Sequence, residues 1–350
     1  MISKKLDLCD QINFFTHLST LLNAGLPLLN SLVMIHQSDA GNQKQYIRRV
    51  ISDLNHGSSL ASSLANQGKF SPVCIGLIAV GEKTGELEKS LNLINRQLEN
   101  DEALRRQMKQ ALTYPLITLS SAALMVASML IWVIPNFEEI FINFNSELPA
   151  ITQLMLNGSR FIQDYFYYIV CTIIAFTVLA VFIWINSISF QKIFDSQIFR
   201  LPYFGNIYRL SAQISWCQNL ANLLQSGISI LEALRITAQS SNHWLSHDLT
   251  VKLFKQLSLG FDFGDGLKRC DPQQRFFDAD TVQLLYIGAK TGSLGTMLLN
   301  RSRALEQQLQ HKLSVLGQSL EPFLIIFLGL LVGGLLLSLY LPIFSLGRII

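Results

Sequence analysis

The chain is short of charge. Only 15% of its 350 residues are Asp, Glu, Lys or Arg, against about 25% in soluble domains. Cysteine is scarce as well. Cys9, Cys74, Cys171, Cys217 and Cys270 are widely scattered, and no pair has CxxC spacing. This argues against a disulfide framework and a structural zinc site, and for a reducing compartment around the soluble parts. Strand-type alternation is rare. A net charge of +3 is too small to point to nucleic acid. No phosphate-binding Gly-x-x-x-x-Gly-Lys-Ser/Thr loop occurs: in Gly81-Glu82-Lys83-Thr84-Gly85 the residue before Lys is Glu. Asp262-Phe263-Gly264 has no kinase context. His243 and His247 are spaced i, i+4, but no third ligand follows nearby, and they read as surface histidines rather than zinc ligands. No catalytic constellation, cofactor site or metal site emerges, so the chain is not expected to be an enzyme.

Half of the residues are hydrophobic. Three runs, Leu116 to Ile134, Tyr167 to Ile185 and Phe323 to Leu341, each hold 19 residues without one Asp, Glu, Lys, Arg or His. At about 1.5 Å rise per residue each reaches roughly 28 Å, close to the ~30 Å hydrocarbon core of a bilayer. They read as three transmembrane helices. The absence of ionisable residues in them argues against ion or proton transport. The N-terminus does not read as a signal peptide: Lys4 and Lys5 are followed by Asp7 and Asp10. Between the first two runs, residues 135–166 carry Glu138, Glu139, Glu147 and Asp164 but one basic residue, Arg160; beyond the third run only Arg348 is basic. The remaining Lys and Arg lie in the two large segments. The positive-inside rule therefore puts the N-terminus and both large segments in the cytoplasm, and the short segment and the C-terminus outside it.

The chain also repeats itself. Leu77-Ile78-Ala79-Val80-Gly81-Glu82-Lys83-Thr84-Gly85-Glu86-Leu87 aligns with Leu284-Leu285-Tyr286-Ile287-Gly288-Ala289-Lys290-Thr291-Gly292-Ser293-Leu294 at an offset of 207. Leu22 to Leu29, holding Gly25 and Pro27, aligns with Leu224 to Leu231, holding Gly227 and Ser229, at an offset of 202. Tyr114-Pro115 aligns with Glu321-Pro322. A period this long is domain duplication, not a solenoid. Phe14, Leu18, Leu21 and Leu22 recur at helical spacing. Gly25 is expected to end that helix, and Pro27 to start the next from its first turn. Gly227 breaks the second copy, where Ser229 is expected to cap. Gly85 and Gly292 are expected to end a helix each. Leu87, Leu91, Ile94 and Leu98, and in the second copy Leu294, Leu298, Leu305 and Leu309, then open a long helix toward an apolar run.

The fold class expected is an all-α membrane protein with two homologous cytoplasmic helical bundles. The division is 8–112 for the first domain, 116–134 for the first span, 135–166 for a short periplasmic segment, 167–185 for the second span, 188–320 for the second domain and 323–341 for the third span. Gly329 and Gly333, and Ala123 and Ala127, are small-xxx-small pairs that let helices approach in lipid. They suit packing among the three spans or contact between copies.

Together these residues resemble the platform proteins of bacterial inner membranes, the family of type II secretion protein F and type IV pilus assembly protein C. The resemblance is carried by Phe14-Phe15, Leu21 to Leu29, Val80 to Leu87, their second-copy counterparts, and Leu320-Glu321-Pro322 leading into the run that holds Gly329 and Gly333 and ends Leu341-Pro342-Ile343. It covers nearly the whole chain, in order. It implies a non-enzymatic, multi-pass inner-membrane platform. Such a platform couples a cytoplasmic hexameric ATPase to extraction and polymerisation of pilin or pseudopilin subunits, alongside other inner-membrane assembly proteins. It would be a homo-oligomer without direct contact to nucleic acid. Family members usually carry a further N-terminal stretch, and often a Glu where this chain has Ala289. The structural and partner candidates are Gly25, Pro27, Gly81, Glu82, Lys83, Thr84, Gly85, Gly227, Gly288, Lys290, Thr291, Gly292, Glu321, Pro322, Gly329 and Gly333. A membrane receptor or adaptor with helical cytoplasmic domains, or a transporter subunit, is the alternative reading.

Overall fold

A computed structural model describes residues 6–38, 44–129, 204–241 and 243–346, with isolated positions between 131 and 175. Among the described residues all regular structure is helical. The first bundle holds α1 (Leu8–Asn23), α2 (Leu28–Ser38), α3 (Lys44–Asn55), α4 (Leu60–Gln67), α5 (Pro72–Thr84) and the start of α6 (Leu87–Ser128). The second repeats that order with α7 (Phe204–Gln225), α8 (Ile230–Ser240), α9 (Trp244–Ser258), α10 (Phe263–Cys270), α11 (Ala279–Lys290) and the start of α12 (Leu294–Leu346).

Local chemistry sets the helix limits. Ser59 accepts from the Ser62 N–H and starts α4; Ser71, followed by Pro72 in the first turn, accepts from Val73 N–H and starts α5. Asp278 does the same for α11 through the Thr281 N–H. Two expectations shift. Helix α2 begins at Leu28, one residue past Pro27, whose carbonyl accepts from Ser31 N–H at 3.0 Å. Ser229 stands at the N-cap of α8, but its side chain makes no capping bond; its carbonyl accepts from Ala233 N–H at 2.8 Å.

Each bundle closes on an aromatic core. In the first, Phe14, Phe15, Tyr46 and Phe70 are buried, with ring centroids 5.2–5.9 Å apart. In the second, Trp216 takes the place of Phe14 and packs 5.1 Å from Phe277, beside Phe276. The Trp216 indole N–H, which burial would otherwise leave unsatisfied, donates to Thr250 Oγ1 at 2.7 Å. The two bundles pack together through α5, which lies on α7 and α8. The closest point is Gly76, where a Cβ would come within 3.0 Å of Ile236 Cδ1 and 3.5 Å of Leu223 Cδ2. Beside it Gln97 of α6 donates to Asn219 Oδ1 at 2.5 Å and accepts from Asn222 Nδ2 at 3.0 Å.

Helix α6 runs through Pro115 without interruption, and α12 runs through Pro322. Each proline deletes one backbone bond, yet neither opens a new helix. Among the described residues one helix, Leu87–Ser128, is long and apolar enough to cross a membrane by length and composition; Pro322–Gly334 is a shorter apolar stretch. Residues 167–185 and 135–156 fall outside the described residues, save isolated positions.

The space at Gly76 sets an expectation. Gly76→Ala should be neutral or mildly stabilising, because helix propensity gains up to about 1 kcal/mol and only the flexible end of Ile236 must give. Gly76→Leu should cost about 1–3 kcal/mol by overpacking the seam. Thermal unfolding of the detergent-solubilised chain measures both. Equal behaviour of the two variants would mean that the seam is not closed at this glycine.

Candidate functional site

The Gly-x-Lys-Thr-Gly elements form two equivalent helix tips. Their first glycine sits inside the helix, where the next helix crosses closely. A Cβ on Gly81 would fall 2.6 Å from Ser90 Oγ and 2.9 Å from the Leu87 Cα; one on Gly288 would fall 2.9 Å from Met297 Cγ and 3.3 Å from the Leu294 Cα. Their last glycine turns the chain. Gly85 has φ 72° and Gly292 φ 69°, the left-handed region that side-chain-bearing residues occupy at a cost. Thr84 Oγ1 donates to Val80 O, and Thr291 Oγ1 to Ile287 O, each at 3.0 Å. Lys83 and Thr84 are exposed. The earlier breaks use the same device, with φ 82° at Gly25 and 84° at Gly227.

Between these glycines the two tips use opposite charges on neighbouring positions. Glu82 reaches the N-terminus of α4: Leu60 N–H donates to its Oε1 at 2.5 Å and Ala61 N–H to its Oε2 at 3.0 Å. Two of the amides that a helix start leaves unpaired are thereby satisfied by a carboxylate from another helix. In the second copy Ala289 cannot do this. The next residue, Lys290, pairs instead with Asp262 at 3.0 Å, and Asp262 is the N-cap of α10, the counterpart of α4. The hydrogen bond from Lys290 holds Asp262 below the ordinary carboxylate range and raises Lys290 in turn. Tyr286 lies under Lys268 and Lys290, at 4.5 and 5.6 Å from its ring centre.

The offset between copies grows from 203 at Leu60 and Phe263 to 207 at Gly85 and Gly292. The four additional residues (207 − 203) fall between α10 and α11, and buried Asp271 organises them by accepting from the N–H groups of Arg275, Phe276 and Phe277 at 2.8–2.9 Å. Asp278 then pairs with Arg301 of α12 at 2.8 Å.

A polar cleft of about 730 Å³ lies along the seam of the two bundles, with Asp10, Lys69, Asp101, Arg105, Ser215 and His243 in its wall. Burial pushes the Asp101 carboxyl up to about 6; Arg105 pulls against this and Glu306 of α12 adds to it. The cleft brings together none of the sequence candidates. His243 packs edge-on against Tyr208, and His247 Nδ1 lies 2.8 Å from Ala238 O. Among the described residues no cluster of three or more His, Cys, Asp or Glu is placed to hold a metal. Burial pushes the Cys74 and Cys217 thiols up to about 12, which leaves them unreactive as nucleophiles. Pro322 is exposed on α12, the Glu321 side chain lies outside the described ones, and Gly329 and Gly333 face open space.

Sequence reasoning missed Gly76, Gln97, Asn219, Asn222 and Asp101. One signal was available: α7 buries Gln213, Gln218 and Asn222 in an otherwise apolar row, and buried amides need partners.

Removing the Glu82 carboxylate should expose its function. Glu82→Ala should cost about 1–2 kcal/mol and speed hydrogen exchange at Leu60 and Ala61, while Glu82→Gln retains part of the protection. Unchanged exchange at those amides would show that water replaces the carboxylate without loss. Asp101 gives a pH signature of unusual sign. Its folded value lies above the unfolded value near 3.9, so the folded chain binds more protons between about pH 4 and 6, and stability falls as pH rises through that window. Asp101→Asn should therefore raise the thermal midpoint at about pH 7.5 and not at about pH 4, an effect on the order of 2 kcal/mol. A difference independent of pH would place Asp101 in contact with water.

Comparison with known proteins gives these features a setting. The family described as type II secretion system (T2SS), protein F, matches residues 14–135 and again residues 216–342. Type IV pilus assembly protein PilC of Myxococcus xanthus (strain DK1622) is 32% identical over 340 residues, covering 96% of this chain and 80% of that protein. PilC of Pseudomonas aeruginosa is 29% identical, covering 99% of this chain and 92% of that protein. Type II secretion system protein F of Pseudomonas aeruginosa is 25% identical, over 95% and 82%. Matched once in each of its two bundles, the chain belongs to the type II secretion system protein F family.

Proposed function

We propose that this chain is the inner-membrane platform of a type IV pilus or type II secretion machine. On this reading it couples a cytoplasmic assembly ATPase to extraction and polymerisation of pilin-like subunits. The observation that carries the reading is the family match, which recurs in both halves of the chain. Two closed helical bundles that each continue into a long helix with an apolar stretch suit such a role. The finer topology belongs to the same proposal. Three spans at 116–134, 167–185 and 323–341 separate two cytoplasmic domains, 8–112 and 188–320, with the C-terminus in the periplasm. The uneven distribution of Lys and Arg supports that orientation. The chain contributes positioning and transmission; ATP hydrolysis belongs to the partner.

Mass spectrometry of what accompanies the tagged chain from mildly solubilised membranes tests this. Recovery of a hexameric secretion ATPase and pilin-like subunits is expected, and the identity of the pilin would name the system. Recovery of kinases or transporter subunits instead would favour the receptor or transporter reading. Gly85→Val and Gly292→Val should each reduce filament assembly or secretion, because valine at a left-handed φ costs about 1 kcal/mol or more. Full assembly by both variants at normal protein level would separate the tips from the function.

A further inference from the structure

The polar cleft along the seam holds a charge that its own walls leave unanswered. Asp101 of α6 lines it, half-buried, and among the described residues makes no hydrogen bond or ion pair. Arg105, one turn along α6, is exposed and forms no ion pair with it, and Glu306 of α12 adds repulsion. Lys69 also stands in the wall, but its ammonium lies over the Tyr46 ring, 4.9 Å from the ring centre. Asp7, the N-cap of α1, lines the cleft too, and its side chain makes no capping bond. Asp10 follows in the first turn of α1. A carboxylate drawn out of water without a partner is costly, and native structures pair such groups.

The placement of these acids selects the kind of cation. Helices α1 and α6 face each other here, since Cys9 Sγ donates to Glu102 Oε1 at 3.6 Å. Asp7 therefore stands on one helix and Asp101 on the other. Among the described residues no three acids, histidines or cysteines are grouped to hold a metal ion, which needs oxygens converging at roughly 2.0–2.6 Å. A cation whose charge is divided between separate groups fits acids on facing helices better. Leu6, Leu8 and Leu98 in the same wall offer apolar surface to methylenes between such groups. The volume, about 730 Å³, falls within the roughly 300–1,000 Å³ of small-ligand sites.

We infer that this cleft binds an aliphatic diamine or polyamine, with one ammonium group against Asp101 and another against Asp7. The ligand supplies the cation that Asp101 lacks. Because Ser215, Asn219 and His243 of the second bundle also line the cleft, occupancy tightens the joint between the bundles. The inference does not rest on the platform reading.

Titration calorimetry and thermal unfolding of the detergent-solubilised full chain with 1,4-diaminobutane, at constant ionic strength, test it. Binding and a raised unfolding midpoint are expected at about pH 7.5, and both should fade at about pH 5, where Asp101 is protonated. Asp101→Asn and Asp7→Asn should each weaken binding about ten-fold or more, the loss of one charge-assisted hydrogen bond. Asp101→Asn removes a charge that the fold carries at a cost, so the variant folds. Glu88→Gln, exposed in the first turn of α6, should leave binding unchanged. Equal weakening by Glu88→Gln, an equal rise in midpoint with added sodium chloride alone, tighter binding of magnesium ion, or no binding would each overturn the proposal. So would binding that appears only in the Lys4→Ala, Lys5→Ala double variant, because the chain's own lysines would then hold the cleft. No ATPase or pilin enters the measurement, so its failure leaves the platform reading standing.

Discussion

Much of this structure depends on helix pairs that approach almost to backbone contact. At Gly81 and Gly288 the following helix passes so near that a single methyl group would meet the Cα of Leu87 or the side chain of Met297. Interiors pack too densely to absorb such an atom without moving the helix. Close crossing fixes the position of α5, and two consequences follow. The last turn of α5 is brought level with the start of α4, so that Glu82 can reach its amides. The opposite side of α5 is left facing outward with Gly76, where the second bundle docks.

The two copies solve one electrostatic problem differently. A helix start carries partial positive charge and unpaired N–H groups, so it favours an anion. In the first copy the cap is the neutral Ser59, and the anion arrives from α5 as Glu82. In the second copy the cap is itself an anion, Asp262, and α11 sets the cation Lys290 against it. The substitution of Ala for Glu at position 289 and of Asp for Ser at position 262 thus belong together. Neither reads as compensation for the other in the sequence, because the two positions are 27 residues apart (289 − 262).

What was legible in the sequence was local. Left-handed glycines, capping serines and apolar spacing at three or four residues act within one turn, and the tips at Gly85 and Gly292 follow from them. Pro27 misled by one residue because a proline fits just before a helix as well as in its first turn. The long helices expected from Leu87 and Leu294 do run on into the apolar stretches, through Pro115 and Pro322, because a helix tolerates a proline when packing or apolar surroundings hold the rest. The seam was not legible. Gly76 reads as an ordinary helical glycine, and Gln97 lies 122 and 125 residues from its partners. Hydrogen bonds of that range leave no period to detect.

The seam differs in kind from the cores it joins. Inside each bundle, buried aromatic rings contribute both area and edge-to-face contacts. Across the seam, α5 packs on α7 and α8 around the glycine crossing at Gly76, beside two amide pairs at Gln97 and the polar cleft with Asp101. An amide–amide hydrogen bond contributes about 0.5–1.5 kcal/mol net, because water competes for both partners. Ionising Asp101 within the seam takes free energy away.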